Sequence, residues 1–282
     1  MCHDSVKCHY YSETLLDPVW IQMSFRPDLL KGRVALVTGG GTGICRGIAL
    51  AFAAHGCDVA IMSRRMEHLE PTLADLEATG RHAIAAAADV RDPAAVDRVI
   101  ASTIGDLGRL DIVVNGAAGN FICRAENLSP NGFAAVVDID LKGTFHVSRA
   151  ALPHLKARGG SVLNISATLQ YLGTMGQSHA AAAKAGIDAL TRTLACEWGP
   201  YGIRVNGIAP GPVEGTEGVR RLTNEQSRDR AVRGCPLGRM ATIDDVADAA
   251  LYLCSGAASF VNGVTLVVDG GLWLQSARIL GE

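Results

Sequence analysis

Short apolar runs alternate with longer alanine-rich segments along most of the chain. The runs are mostly continuous rather than alternating with polar residues, which is typical of parallel strands covered by helices on both faces. We predict strands within the ranges 34–37, 59–62, 84–87, 112–114, 162–165, 204–208 and 264–268. Strands separated by helix-length segments predict an α/β fold. The expected architecture is a Rossmann-type, doubly wound, seven-stranded parallel sheet in a single domain.

No linker rich in proline, glycine or serine divides the chain, and no repeat recurs at a fixed period. We therefore expect an N-terminal extension over 1–29 and one catalytic domain over 30–282. The least regular stretch follows the sixth predicted strand, at the sheet edge where doubly wound folds bind ligands. Its part from about 212 to 240 is predicted to be a lid on the substrate side.

The charge balance and the length of the apolar runs limit the kinds of partner that we expect for this chain. The chain has 26 basic and 28 acidic residues, a net charge of −2. This balance argues against nucleic acid, which requires a concentrated basic face. No apolar run reaches the roughly 18 residues of a membrane helix, so neither nucleic acid nor a membrane is an expected partner.

Eight cysteines are spread along the chain without the tight spacing of a disulfide framework. This distribution favours a reducing compartment. The last four residues, 279–282, are not a peroxisomal address of the Ser-Lys-Leu type, and we expect a cytoplasmic location. No metal site is expected, because the spacing of Cys2-His3 and Cys8-His9 fits no common zinc pattern.

A glycine-rich turn lies between the first strand and the following helix. Glycines let the backbone approach a pyrophosphate closely, and the helix N-terminus offers free N–H groups and a positive dipole. Strand, turn and helix in this order predict a dinucleotide site; the alternative is a plain glycine-rich turn. The predicted phosphate-binding residues are Gly39, Gly41, Thr42, Gly43 and Ile44.

The second strand ends in Ser63-Arg64-Arg65, where NAD-binding folds commonly have an acidic residue. One hydroxyl and two guanidinium groups suit the 2′-phosphate of NADP(H). The alternative is that both arginines only face solvent at a helix start, where the dipole disfavours them. We predict NADP(H) as the cofactor.

Two further motifs carry a family resemblance: Asn115-Gly116-Ala117-Ala118-Gly119 after the fourth strand and Pro210-Gly211-Pro212 after the sixth. With the glycine turn, they make residues 30–272 resemble the short-chain dehydrogenases/reductases. The resemblance implies a place for adenosine at Asp89, Val90, Asn115, Gly116 and Ala117. It also implies that a loop containing Pro210, Gly211, Pro212, Val213 and Thr216 lies against the nicotinamide.

The family's usual proton-transfer groups are only partly present. Lys184 matches the family lysine, but the tyrosine position four residues earlier is Ala180 and the serine position is Ala167. The asparagine position is Asp140. Without a phenol one helical turn before Lys184, ordinary alcohol–ketone chemistry is disfavoured.

These departures resemble one subgroup, the 2,4-dienoyl-CoA reductases, and their peroxisomal type in particular. The matching strings cover 26–30, 116–121, 137–140, 177–180, 197–200 and 210–218. The resemblance implies NADPH-dependent reduction of 2,4-dienoyl-CoA thioesters to 3-enoyl-CoA in the β-oxidation of unsaturated fatty acids. It also implies an acyl-CoA substrate and a homotetramer.

By the same resemblance, Asp140 positions a water that delivers a proton to the substrate's α-carbon. Lys184 holds the nicotinamide ribose and places positive charge near the developing oxyanion. The alternative for Asp140 and Lys184 is a buried ion pair that links two helices. The residues implied for substrate binding are Arg64, Arg91, Phe121, Arg220 and Arg221. The adjacent arginines at 220 and 221 are expected to grip phosphates, and Phe121 to pack on the acyl chain.

Three questions stay open from sequence. One alternative function is a carbonyl reductase or 3-hydroxyacyl-CoA dehydrogenase in which Ser166 and Tyr171 substitute for the missing serine and tyrosine. A non-catalytic NADP-binding protein is another. Cys45, where the family has a glycine, is either a small apolar residue or a helix-N-terminal thiol with a lowered pKa. His179 is expected either to be structural or to support the site through a neighbouring residue.

Overall fold

The computed structural model describes residues 25–276. Most of the expected extension 1–29, the Cys2-His3 and Cys8-His9 pairs, and the residues 279–282 lie outside this range. Within it, the strands form one parallel sheet in the order β3-β2-β1-β4-β5-β6-β7. They are β1 (Val34–Thr38), β2 (Asp58–Ser63), β3 (Ala83–Ala87), β4 (Ile112–Asn115), β5 (Gly160–Ile165), β6 (Ile203–Pro210) and β7 (Thr265–Val268). The predicted α/β fold class and its seven strands are confirmed.

Helices cover both faces of the sheet. They are α1 (Gly43–Ala54), α2 (Glu70–Ala78), α3 (Pro93–Leu107), α4 (Pro130–Val137), α5 (Gly143–Lys156), α6 (Ser178–Trp198), α7 (Glu217–Leu222), α8 (Glu225–Gly234) and α9 (Ile243–Cys254). One core cluster joins α1 and α9 to the sheet through residues such as Phe52 and Val246. A second joins α3, α5 and α6 through Val96, Leu155 and Leu194. Two apolar layers explain why the strands read as continuous apolar runs.

The sheet order reverses at β1, which pairs in parallel with both β2 and β4. Helices leave the sheet in opposite directions on the two sides of such a point, and a crevice opens beyond the carboxyl ends of the strands. The glycine turn after β1 and the motif after β4 both lie at this crevice. The topology therefore brings together motifs that are far apart in sequence.

The predicted lid is more regular than expected. Residues 212–240 contain α7 and α8, and Pro210 is the last residue of β6. Thr216 caps α7 by accepting a hydrogen bond from the Val219 N–H, and Asn224 forms a capping box with Ser227 at α8. These caps satisfy N–H groups that a short helix leaves unpaired.

No helix between residues 25 and 276 is long and apolar enough to cross a membrane. Over the same residues, no group of three or more His, Cys, Asp or Glu side chains is arranged to hold a metal ion.

Candidate active site

The glycine turn is shaped by close backbone contacts. Gly39 has φ of +72°, and a Cβ on it would lie 2.9 Å from the carbonyl oxygen of Gly116. A Cβ on Gly41 would overlap the carbonyl of His68. At Gly39 the backbone after β1 therefore packs directly against the motif after β4, and at Gly41 it packs against the segment after β2.

The N-terminus of α1 has the features of an anion-binding site. Thr42, its N-cap residue, makes no side-chain capping bond, and the first turn of α1 contains no acidic residue. The N–H groups there are free to bind a phosphate, which the helix dipole also favours. Thr216 lies beside Gly43, since a Cβ on that glycine would be 3.7 Å from the Thr216 methyl carbon. Ile44 packs against the core. The turn therefore fits the pyrophosphate of a dinucleotide.

Thr38 joins β1 to the motif after β4. Its Oγ1 accepts hydrogen bonds from the N–H groups of Gly116 at 3.0 Å and Ala117 at 3.2 Å. Asn115 is buried, and its Nδ2 donates to Ser148 Oγ and Asn164 Oδ1, both at 2.9 Å. The bonds of Thr38 hold Gly116 and Ala117 beside the glycine turn. Those of Asn115 join β4 to α5 and β5.

Cys45 is a core residue. Its sulfur lies where a side chain on Gly116 would otherwise point, and burial raises the pKa of the Cys45 thiol to about 12. The reading of Cys45 as a thiol with a lowered pKa is therefore wrong, because desolvation of the thiolate outweighs the helix N-terminus. The residue acts as a small apolar side chain beside Gly116.

The basic end of β2 leaves one arginine free for a ligand. Ser63 Oγ donates to the Arg65 carbonyl at 3.0 Å, and the Arg65 guanidinium contacts the His68 ring. Arg64 is exposed and forms no ion pair with any residue from 25 to 276. Of the two predicted arginines, Arg64 is thus the one with an unengaged guanidinium.

Asp89 and Arg91 are already paired. Arg91 Nη2 lies 2.6 Å from Asp89 Oδ2, and hydrogen bonding from Arg91 holds the pKa of Asp89 below its usual value. The nearby charge of Arg64 acts in the same direction more weakly. Val90 is buried against Gly143, and its carbonyl oxygen lies 2.9 Å from His146 Nδ1. A phosphate at Arg91 would therefore compete with the Asp89 carboxylate.

Asp140 lies in a π-helical turn, Asp138–Lys142, between α4 and α5. Such turns interrupt the regular helix and frequently occur at functional sites. The turn is stabilised by an ion pair between Lys142 and Asp138 at 2.6 Å and by Thr144 Oγ1, which donates to the Asp140 carbonyl at 2.6 Å. As a result the Asp140 side chain is turned inward and is only 1% exposed.

The Asp140 carboxylate forms an ion pair with Lys184. Lys184 Nζ lies 3.2 Å from Asp140 Oδ2 and donates to the Ile165 carbonyl at 2.9 Å. Asp140 Oδ1 accepts from the Gly119 N–H at 2.8 Å. An ammonium has three N–H donors, so one remains available for a ligand. Both side chains face the end of β5 and the motif after β4.

The position of the family phenol is filled by apolar packing. Ala180 is buried with Val136 and Ala183, and Leu169 packs against this cluster. Ala167 has an extended backbone before a short 3₁₀ turn. The structure thus places a hydrocarbon surface beside Lys184 where the family has a hydroxyl.

The alternative pair, Ser166 and Tyr171, is engaged elsewhere. The Tyr171 hydroxyl donates to Asp188 Oδ2 at 2.8 Å, and Ser166 Oγ accepts from Gln170 Nε2 at 3.1 Å. Burial and the Asp188 hydrogen bond raise the pKa of Tyr171 to about 12. Sequence reasoning missed Asp188, although it follows Lys184 by one helical turn on the same face of α6.

The predicted substrate-binding residues differ in whether their side chains already have partners within the protein. Phe121 is 37% exposed, and its ring stacks on His179 with centroids 4.3 Å apart. Arg221 Nη1 lies 3.2 Å from Glu217 Oε1, whereas Arg220 forms no ion pair within the described residues. Consecutive helical residues point about 100° apart. The guanidinium groups of Arg220 and Arg221 therefore point in different directions, and binding of phosphates by this pair stays a prediction.

Comparison with known proteins agrees with this geometry. A profile of the family described as "Enoyl-(Acyl carrier protein) reductase" matches residues 39–273. The chain belongs to this family, a group of the short-chain dehydrogenases/reductases, which confirms the resemblance seen in the sequence.

Individual relatives are similar to this chain over most of its length. The chain is 48% identical to "Peroxisomal 2,4-dienoyl-CoA reductase [(3E)-enoyl-CoA-producing]" of Arabidopsis thaliana, covering 91% of this chain and 89% of the relative. It is 46% identical to the protein of that description from Saccharomyces cerevisiae, covering 89% and 87%. Both relatives are described as peroxisomal, so they do not support the expected cytoplasmic location.

Among solved structures, a gluconate 5-dehydrogenase from Burkholderia cenocepacia in complex with NADP and tartrate has a TM-score of 0.82 and 34% identity. The match covers 87% of this chain and 97% of that one. The Rossmann-type fold with its crevice is thus shared with an enzyme that was solved with a dinucleotide bound.

Proposed function

We propose that this protein is an oxidoreductase that uses NADPH to reduce 2,4-dienoyl-CoA thioesters to 3-enoyl-CoA, a step in the β-oxidation of unsaturated fatty acids. The observation that carries the proposal is the buried Asp140–Lys184 ion pair beside the apolar surface of Ala180. This arrangement offers a carboxylate and an ammonium but no phenol. The descriptions of the relatives support the same reaction.

A nicotinamide cofactor suits the glycine turn, the free N-terminus of α1 and the crevice between β1 and β4. NADP(H) rather than NAD(H) is proposed because Arg64 is exposed and unengaged where an acidic residue would otherwise bind a ribose hydroxyl. The 2′-phosphate would meet Arg64, with Ser63 and Arg65 beside it. Bound NADPH supplies the hydride.

The reaction adds a hydride and a proton across a conjugated system: dienoyl-CoA, NADPH and H⁺ give 3-enoyl-CoA and NADP⁺. As hydride reaches the δ-carbon, negative charge collects on the thioester oxygen. Lys184 has one N–H donor beyond those used by Asp140 and the Ile165 carbonyl. It orients the nicotinamide ribose and stabilises the developing charge electrostatically.

Protonation then takes place at the α-carbon, and not at oxygen. A phenol placed for a ketone oxygen is therefore unnecessary, which accounts for Ala180 at that position. Asp140 is held by the Gly119 N–H and by Lys184. The Asp140 carboxylate orients the water that delivers the proton. The π turn and the ion pair with Lys184 of α6 hold this carboxylate in place.

A carbonyl reductase with Ser166 and Tyr171 is the competing activity. Its proton donor would be a phenol whose pKa is raised to about 12 and whose hydroxyl already donates to Asp188. Steady-state oxidation of NADPH separates the possibilities. We expect turnover with 2,4-dienoyl-CoA and little with 3-oxoacyl-CoA or simple ketones. Turnover only with the latter would favour the carbonyl reductase, and none at all a non-catalytic protein.

We also propose a homotetramer, as the family resemblance implies. The segment after β7 supports it, because Leu274 is 66% exposed and offers an apolar side chain to a neighbouring subunit. Sedimentation at micromolar concentration tests this proposal, and a monomer would contradict it.

A further inference from the structure

His179 is a buried histidine that the proposed reaction does not use. Its side chain is 0% exposed, and neither ring nitrogen has a hydrogen-bond partner among the described residues. An unpartnered buried polar group is destabilising. An aliphatic side chain at this position would avoid this cost but would offer no aromatic ring.

The one directional contact of His179 within the described residues is with Phe121. The two rings have centroids 4.3 Å apart and planes inclined by 30°. Aromatic pairs at this separation are stabilised beyond their buried area. One face of Phe121 therefore rests on the imidazole, while 37% of the residue stays exposed.

The segment that carries Phe121 is also tied to the Asp140–Lys184 pair. Two residues before Phe121, the Gly119 N–H donates to Asp140 Oδ1 at 2.8 Å. Two residues after it, the Cys123 N–H donates to the Gly176 carbonyl at 3.0 Å, in the loop that precedes α6. The backbone is thus held on both sides of Phe121, and the Phe121 ring itself packs on His179.

His179 immediately precedes Ala180, the position beside Lys184 that lacks the family phenol. Because Gly119, two residues from Phe121, donates to Asp140, the Phe121 ring offers an apolar wall on the side of the proposed reacting centre. We propose that His179 is a positioning residue, which holds this wall by ring stacking so that the acyl chain of the dienoyl thioester packs against Phe121. The proposal rests on the proposed function and deepens it by assigning one side of the acyl site.

The test compares His179→Ala with His179→Phe, which keeps a stacking ring but has no ring nitrogens. With 2,4-decadienoyl-CoA, His179→Ala should raise KM roughly two- to tenfold, the range expected for loss of one aromatic contact, with kcat nearly unchanged. The shorter 2,4-hexadienoyl-CoA should be affected less, because fewer of its carbons reach the wall. His179→Phe should restore the parent KM.

A double-mutant cycle with Phe121→Ala makes the coupling explicit. If His179 acts through Phe121, adding His179→Ala to Phe121→Ala should not raise KM further. His82→Ala, an exposed histidine on the opposite edge of the sheet, serves as the matched control. Thermal unfolding and NADPH affinity, measured on every variant, identify variants that have lost the fold.

Two results would overturn the inference. In one, folded His179→Phe loses as much as His179→Ala, which would assign the role to the ring nitrogens. In the other, the two substitutions have additive effects on KM, or none. A parent protein that reduces no dienoyl-CoA would instead remove the proposed function, and the inference with it.

Discussion

Lys184 Nζ lies 3.2 Å from Asp140 Oδ2 in an ion pair of which Asp140 is 1% and Lys184 8% exposed. Removing one partner of a buried pair leaves an uncompensated charge, which commonly costs about 3–5 kcal/mol of stability. Substitutions at either position therefore affect folding as well as chemistry. Experiments on this pair need a stability measurement and a control at an exposed carboxylate outside the π turn.

Cofactor choice is expected to depend on Arg64. The parent should bind NADPH more tightly than NADH, and Arg64→Asp should abolish or reverse the preference, by roughly ten- to a hundredfold for loss of a charged hydrogen bond. Dissociation constants from fluorescence titration measure this. Arg98→Asp, an exposed charge reversal on α3, is the control. Equal constants for the two cofactors in the parent would contradict the assignment.

The two arginines of α7 are expected to differ. Arg220→Ala should raise KM for the CoA ester about fivefold, corresponding to about 1 kcal/mol for an exposed charge, and the effect should shrink as salt screens it. Arg221→Ala should do less, because Arg221 already pairs with Glu217. The double substitution should raise KM at least as much as Arg220→Ala. An unchanged KM at low and moderate salt would place CoA elsewhere.

Asp245 gives the fold a pH dependence. Hydrogen bonding from Arg239 lowers the pKa of Asp245 to about 2, and Thr242 contributes further. A carboxylate whose pKa is lower in the folded state stabilises the protein above its unfolded pKa of 3.8 and loses this effect as pH falls towards 2.

Asp245→Asn should therefore lower the free energy of unfolding by about 1 kcal/mol at pH 6, after allowance for solvent screening. The difference from the parent should vanish between about pH 4 and pH 2. Urea unfolding across this range measures it. A difference that persists at pH 2 would show that the interaction is not ionic.

Restoring the family phenol by Ala180→Tyr should not increase the turnover of dienoyl-CoA. Ala180 is buried against Val136 and Ala183, so Ala180→Tyr is expected to overpack this cluster and to lower stability by about 1–3 kcal/mol. Its hydroxyl would be placed for an oxygen rather than for the α-carbon. Dienoyl-CoA turnover should stay level or fall. An increase in kcat would indicate that protonation at oxygen limits the reaction.

Much of the fold was predictable, because its determinants are local. Apolar runs covered on both faces predicted all seven strands, and Gly39 and Gly43 marked a turn whose positive φ angles favour glycine. The helices α7 and α8 were missed because they are short and mostly polar. Their caps, Thr216 and Asn224, were visible in the sequence and gave the better signal.

The site was less predictable, because its contacts join distant segments. The pairing of Arg221 with Glu217 follows from helical spacing. By contrast, the bond between Tyr171 and Asp188 and the stack of Phe121 on His179 depend on how loops pack against α6. Hydrophobic periodicity carries no information about such loop contacts.

The most direct test of the proposed reaction is kcat for dienoyl-CoA reduction in Asp140→Ala and Asp140→Asn, with Asp97→Ala, an exposed carboxylate on α3, as the control. We expect kcat of both Asp140 variants to fall roughly 10²–10⁴-fold, the scale for a lost acid–base group, while NADPH affinity stays near the parent value. Lys184→Ala should reduce both quantities. If a folded Asp140 variant binds NADPH and reduces dienoyl-CoA at the parent rate, the carboxylate has no part in proton delivery and serves only as an ion-pair partner of Lys184.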